Sequence, residues 1–269
     1  MKNLSLRQII RGKNPDFEAA LPEVAVRLLE HFLCIDKLDD LLSMGQGMAP
    51  LDFVDAVLAR LGISYEGLWE EKPRDERLVF ASNHPFGALD GMMLGHCIGR
   101  RFGDVRIGVN DLLMSLTPLR PIFLPVNKFG RQSGDTAERL DRELRGDVPI
   151  VVFPAGLCSR RRGGVVRDEE WHTGFIKRAV MAERDVVPVY VEGGLSSNFY
   201  RLANLRRRLG VKFNIEMLRL PSEVFAQQGR HYRIVFGSPI AWEILALEGT
   251  PQRQTRLVRD EMERLRHYC

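Results

Sequence analysis

Nowhere in these 269 residues does an uninterrupted apolar run approach the roughly 18 needed to cross a bilayer. The amino-terminal stretch MKNLSLRQIIRGKNP also lacks the apolar core of a secretory signal, so the sequence predicts a cytoplasmic protein. Cysteine is scarce: Cys34, Cys97, Cys158 and Cys269 stand apart with no paired spacing. That excludes a disulfide framework and a cysteine-rich zinc module, and no metal site is predicted. Internal repeats, low-complexity tracts and flexible linkers are missing as well. What remains is a chain of 45% hydrophobic composition, ample for one large folded core and incompatible with general disorder.

Charge is nearly balanced at +4 but unevenly placed. Residues 1–79 carry 10 Lys and Arg against 14 Asp and Glu, leaving 29 against 21 for residues 80–269. Arg160, Arg161 and Arg162 form one basic cluster, and Arg201, Arg206, Arg207, Arg208 and Lys212 a second. Such clusters suit anionic lipid head groups, an acidic carrier protein or nucleic acid, or are simply solvated helix faces. No nucleic-acid-binding motif accompanies them, so no nucleic-acid partner is predicted.

From about residue 17 to 69 the apolar spacing is helical, with Pro50 opening and Gly62 closing one helix. This reads as a helical preface rather than part of a sheet, packed on the core or lying partly on a membrane surface. After Pro73 the texture changes to LVFAS, VRIGV, PIFLPV, PIVVFP, VVPVYVEG and YRIVFG, separated by helical stretches. Alternation of this kind predicts an α/β fold, a mixed and largely parallel sheet flanked by helices. The division expected is an N-terminal helical extension over 1–75 and an α/β domain over 76–269.

The richest local pattern is ASNHPFGALDG at 81–91, which leaves the first apolar strand. Carboxyl ends of strands are where open α/β sheets place ligands. Pro85 keeps His84 out of helical dihedrals, Gly87 permits a sharp turn, and Asp90 opens the next helix. A histidine that takes a proton from a hydroxyl, oriented by a carboxylate, suffices for acyl transfer to an alcohol. The plainer alternative is that Asp90 caps the helix and His84 is a bonded structural residue. At PIVVFP the chain runs into AGLCSRRR, where Phe153 and Pro154 shape the exit, Gly156 allows close approach, and Ser159 and Arg160 can hold an anion or hydroxyl. Cys158, beside arginines, is a conceivable nucleophile, but a small packed residue is the stronger reading. His96 and His172 read as structural or surface residues.

NHPFGALD, FPAGLCSR and Val187-Pro188-Val189, in that order, resemble the glycerolipid acyltransferase family, which carries N-H-x-x-x-x-D, then F-P-E-G-T-R-S, then a V-P strand. The similarity is greatest to its soluble, haemolysin-like branch and to lyso-ornithine and lyso-glycine lipid acyltransferases. The resemblance implies a lysolipid O-acyltransferase with His84 and Asp90 as a catalytic dyad and Asn83, Phe153, Pro154, Gly156, Ser159 and Arg160 around the substrate. Lys128 and Arg131 correspond loosely to the family's middle basic motif, which implies substrate-binding contacts with the head group. It further implies no bound cofactor, an acyl carrier protein or coenzyme A thioester as co-substrate, a lysolipid acceptor, and peripheral contact with the inner face of the cytoplasmic membrane. Oxyanion donors would be backbone amides near Gly87 or Gly156. The rival implication is a catalytically inactive, membrane-binding haemolysin-like protein.

Two departures matter. Five residues separate His84 from Asp90 where the family has four, so a wider loop must bring them together. Ala155, Leu157 and Cys158 stand where the family has glutamate, threonine and arginine. Losing a carboxylate and a guanidinium from one pocket points to a changed acceptor head group; lysophosphatidic acid and a lyso-amino-acid lipid both stay open as acceptors, with a tilt towards the second. Arg160 and Arg161 are the obvious replacements for the missing charge.

Overall fold

The computed structural model describes residues 7, 11, 19, 21–73, 75–110, 113–126, 134–211 and 214–269. Its helices begin with α1 (Glu23–Phe32), α2 (Ile35–Met44) and α3 (Pro50–Leu61), followed by strands β1 (Ser64–Trp69) and β2 (Leu78–Ser82). Next come α4 (Ala88–Phe102), β3 (Arg106–Val109), β4 (Phe123–Pro125), α5 (Gly134–Arg145) and β5 (Ile150–Val152). A short hairpin of β6 (Arg160–Arg162) and β7 (Val165–Arg167) precedes α6 (Gly174–Met181), β8 (Asp185–Val191) and α7 (Ser197–Arg208). The chain ends with α8 (Leu220–Ala226), β9 (His231–Phe236), α9 (Trp242–Leu247) and α10 (Pro251–Leu265).

Among the described residues, seven strands form one sheet in the order β1-β9-β8-β2-β5-β3-β4. Every pairing is parallel except β8 with β9, so the fold is a mixed, largely parallel α/β sheet flanked by helices. Central β2 is buried along its whole length, which is why it reads as a continuous apolar run. Leu78 and Phe80 face one core with Phe53, Val57 and Met93, while Val79 and Ala81 face another with Ile176, Leu245 and Met262. Helices α3 and α4 therefore cover one face, and α6, α9 and α10 the other.

The helical reading of the preface stops at α3. Pro50 at its first turn and Gly62, in the left-handed region at φ 62°, bound it as expected. Beyond it, Ser64–Trp69 is not helical but an edge strand of the main sheet, in parallel register with β9 from Ser64↔His231 to Trp69↔Phe236. The segment SYEGLW has neither strict alternation nor an apolar run. Its strand character comes from β9 and from Trp69, whose ring stacks on Phe236 at 3.8 Å. The sheet thus draws on residues assigned from the sequence to the helical extension.

One buried cation ties this architecture together. Arg184, at the start of β8 and fully buried, donates to five backbone carbonyls. Leu144 and Glu143 lie at the end of α5 at 2.7 and 2.8 Å, Gly146 and Val148 in the following loop at 2.5 and 2.9 Å, and Leu78 in β2 at 3.3 Å. These include carbonyls that a helix end cannot satisfy internally. Burial pulls its pKa down to about 10, so the guanidinium stays charged at neutral pH.

Candidate active site

Asn83 follows β2 and extends its pairing with β8 by side chain. Its amide nitrogen donates to the Val191 carbonyl at 2.9 Å, and its oxygen accepts from the Val191 amide at 2.7 Å. The next residue is held by its backbone: the His84 amide donates to Asp168 Oδ1 at 3.2 Å, and its carbonyl accepts from the Ser159 amide at 2.8 Å. Both motifs are thereby joined before any side chain of His84 is considered. Phe86, buried against Tyr232, pins the loop, and Gly87 at φ 87° turns it into α4.

Asp90 sits in the first turn of α4 and is fully buried. Its Oδ2 accepts from the amides of Phe86 at 2.9 Å and Gly87 at 3.3 Å, and Oδ1 from Gly91 at 2.9 Å. The helix amino terminus also favours its negative charge. Oδ1 lies 3.1 Å from His84 Nδ1, close enough to pair although not aligned as a hydrogen bond. The five intervening residues are thus accommodated: the Phe86-Gly87 turn folds onto the carboxylate instead of holding it away. The capping role and the contact with histidine coexist in one side chain.

With Nδ1 facing Asp90, Nε2 is the nitrogen left for chemistry. The imidazole is 17% exposed and stacks on Phe153 at 4.1 Å. Both rings, with Pro154 and Gly156, line a cavity of about 760 Å³. Its walls are mostly apolar, including Leu41, Phe53 and Val57 from the helical preface, Ile107 and Val109 of β3, and Leu140 and Leu144 of α5. Among the described residues its ionisable lining groups are His84, His172 and Arg178.

Other residues singled out from the sequence are placed elsewhere. Asn83 and Ser159 do not line this cavity but border a small recess with Asp168. Ser159 is buried and donates to Asp168 Oδ1 at 2.6 Å. Arg160 points away, donating to the fully buried Glu216 at 3.0 Å and lying over the Phe199 ring. Arg161 covers Tyr200 and Arg162 reaches Glu169. The cause is the β6–β7 hairpin, whose Gly163-Gly164 turn carries the arginines off the strand exit. Lys128 and Arg131 lie outside the described residues. The amides of Gly87 and Gly156, expected as oxyanion donors, are engaged by Asp90 and by the Phe153 carbonyl, the latter at 2.8 Å. Cys158 is a buried core residue.

Asp168 is the organiser that sequence reading did not single out for a role. It accepts from the His84 amide, the Ser159 hydroxyl and, at 2.9 Å, the Trp171 indole. Burial pushes its carboxyl above the ordinary range, against the opposing pull of these bonds. The signal in the sequence is the stretch Arg167-Asp168 through Trp171, with Gly174 and Phe175, whose resemblance to the soluble branch implies framing of the substrate pocket without giving Asp168 a role. His172, read as a structural or surface residue, borders the cavity.

Gly87 tests the loop directly. A Cβ there would lie 3.0 Å from Cys158 Sγ and 3.3 Å from Leu220, in a dihedral region that side chains resist. Gly87→Ala is expected to cost about 1–3 kcal/mol in urea unfolding and to lower activity in the protein that remains folded.

Residues 8–268 match the family described as Acyltransferase. The chain is 37% identical over 265 residues to the lyso-glycine lipid O-acyltransferase of Bacteroides thetaiotaomicron, covering 97% of each. It is also 37% identical to that of Phocaeicola vulgatus, covering 97% of this chain and 95% of the relative. A solved structure, the 1-acyl-sn-glycerophosphate acyltransferase of Thermotoga maritima, is similar over 90% of this chain and 95% of its own at 15% identity, with a TM-score of 0.46. A family match along nearly the whole chain, with relatives aligned end to end, means that this protein belongs to the acyltransferase family.

Proposed function

We propose that the protein transfers an acyl group from a thioester, carried by acyl carrier protein or coenzyme A, to the hydroxyl of a lyso-glycine lipid. The observation that carries this reading is the His84–Asp90 contact of 3.1 Å at the wall of a largely apolar cavity of about 760 Å³. The activity for which its 37% identical relatives are named supports the acceptor.

His84 Nε2 removes the hydroxyl proton as the oxygen attacks the thioester carbonyl carbon. Asp90 holds the imidazole in the required tautomer and stabilises the imidazolium. The tetrahedral intermediate collapses with cleavage of the C–S bond, and the imidazolium returns the proton to sulfur, giving ester and thiol. The cavity volume falls within the roughly 300–1,000 Å³ of ligand sites. Each acyl methylene buried there contributes about 0.8 kcal/mol of binding.

Both lipids reside in a membrane, and among the described residues no helix is long and apolar enough to cross one. The reading is therefore peripheral attachment to the inner face of the cytoplasmic membrane. Its support is the patch at the end of α7 and in the chain beyond it, where Leu205, Leu209, Val211 and Leu218 are exposed beside exposed Arg201, Arg207 and Arg208. Apolar insertion with basic flanks suits an anionic surface. Combining Leu205→Glu with Leu209→Glu should weaken flotation with anionic vesicles at least about tenfold.

The function is tested by supplying both thioester donors with lyso-glycine lipid, lyso-ornithine lipid or lysophosphatidic acid. Preferential product on lyso-glycine lipid is expected. Product on lysophosphatidic acid alone overturns the acceptor, and no product from folded protein overturns the enzyme.

A further inference from the structure

The cavity wall contains a cation that neither motif includes. Among the described lining residues Arg178 is the sole Lys or Arg, and no Asp or Glu lines the cavity. It is half-buried on α6, and among the described residues its side chain makes one hydrogen bond, from Nη1 to the Gly174 carbonyl of its own helix, at 3.4 Å. No ion pair involves it among the described residues. Its guanidinium nitrogens are not sealed from solvent and no carboxylate lines the wall to compete for them, so an anion entering the cavity meets several available donors beside apolar walls.

Its position relates it to the reaction. The loop entering α6 is tied to the second motif by the His172 amide, which donates to the Pro154 carbonyl at 3.0 Å. Pro154 follows Phe153, whose ring stacks on His84. Gly174 and Phe175 share the same wall, and the guanidinium lies near Gly174, 3.6 Å from where a Cβ would stand. Arg160 and Arg161, offered from the sequence for the head group, are engaged with Glu216 and Tyr200.

We propose that Arg178 binds the carboxylate of an N-acylglycine head group and so selects the acceptor. The inference rests on the proposed function for its link to catalysis. In a lyso-glycine lipid the carboxylate is joined through one amide to the 3-hydroxy acyl chain, a few bonds from the reacting oxygen. A planar guanidinium matches such a carboxylate with two parallel hydrogen bonds, while the chain continues into the apolar cavity. The family arginine replaced by Cys158 is thus succeeded by a cation on a different element, suited to a different head group.

The test uses the full-length protein and two readouts. The first is binding of N-octanoylglycine and of its methyl ester to wild type, Arg178→Gln and Arg178→Lys, each checked for an unchanged melting temperature. Wild type should prefer the acid by roughly ten- to a hundredfold, the size of a charge-assisted pair. Arg178→Gln should lose that preference with ester affinity unchanged, and Arg178→Lys should keep part of it. The second readout is transfer to lyso-glycine lipid, where Arg178→Gln should raise KM far more than it lowers kcat. Retained acid preference in Arg178→Gln, or equal loss for acid and ester, overturns the proposal. A wild type that binds the acid through Arg178 yet acylates no lyso-glycine lipid would support the carboxylate site while refuting the proposed function.

Discussion

Replacing His84 by glutamine should leave a folded protein that has lost acyl transfer by a factor of about 10² to 10⁴ or more, the usual contribution of a general base. Folding should survive because the structural bonds of this residue are made by its backbone, to Asp168 and from Ser159, and glutamine preserves them. Only the stacking on Phe153 and the contact with Asp90 are lost. A circular dichroism melt beside a labelled-acyl transfer assay checks both halves. Asp90→Ala should behave differently. It removes the acceptor for three amides and the partner of the imidazole together, so activity and stability should fall in parallel. A folded His84→Gln protein with near-normal turnover would contradict the assignment of the base.

The largest stability effect is expected far from the cavity, at Arg184. Its side chain satisfies five carbonyls drawn from α5, the loop before β5, and β2. Arg184→Met keeps much of the volume but strands those acceptors, at a cost of about 3–5 kcal/mol. That is a large part of the roughly 5–15 kcal/mol that holds a typical domain folded. Arg184→Lys should recover little, because an ammonium cannot reproduce the planar fork. Urea titration followed by tryptophan fluorescence should show a much lower midpoint with a similar slope.

How far the sequence exposes this molecule depends on whether a feature is local. The segment from Leu78 to Asp90 is legible because strand, proline, glycine and capping acid follow one another, and each imposes its own backbone preference. Even the extra residue between His84 and Asp90 is explained locally, by the turn at Gly87. Ser64–Trp69 is not legible, since its strand form is supplied by β9, over 160 residues away in register. Ser159 and Arg160 show the converse problem. Their residue types suit an anion site, but a hairpin turn after the motif redirects them to Asp168 and Glu216. Arg178 escaped notice because nothing in GFIKRAVM distinguishes it from any helix-surface arginine. Only the cavity beside it does.

The most direct test of the central claim is a single-tube assay with labelled acyl thioester, lyso-glycine lipid and wild-type protein, tracking lipid product and free thiol together. The account predicts equal amounts of diacylated lipid and thiol, no label held covalently by the protein, and both products reduced together by about 10²-fold or more with His84→Gln. Thiol release without lipid product, or label trapped on the protein as an obligatory intermediate, would contradict direct transfer assisted by His84.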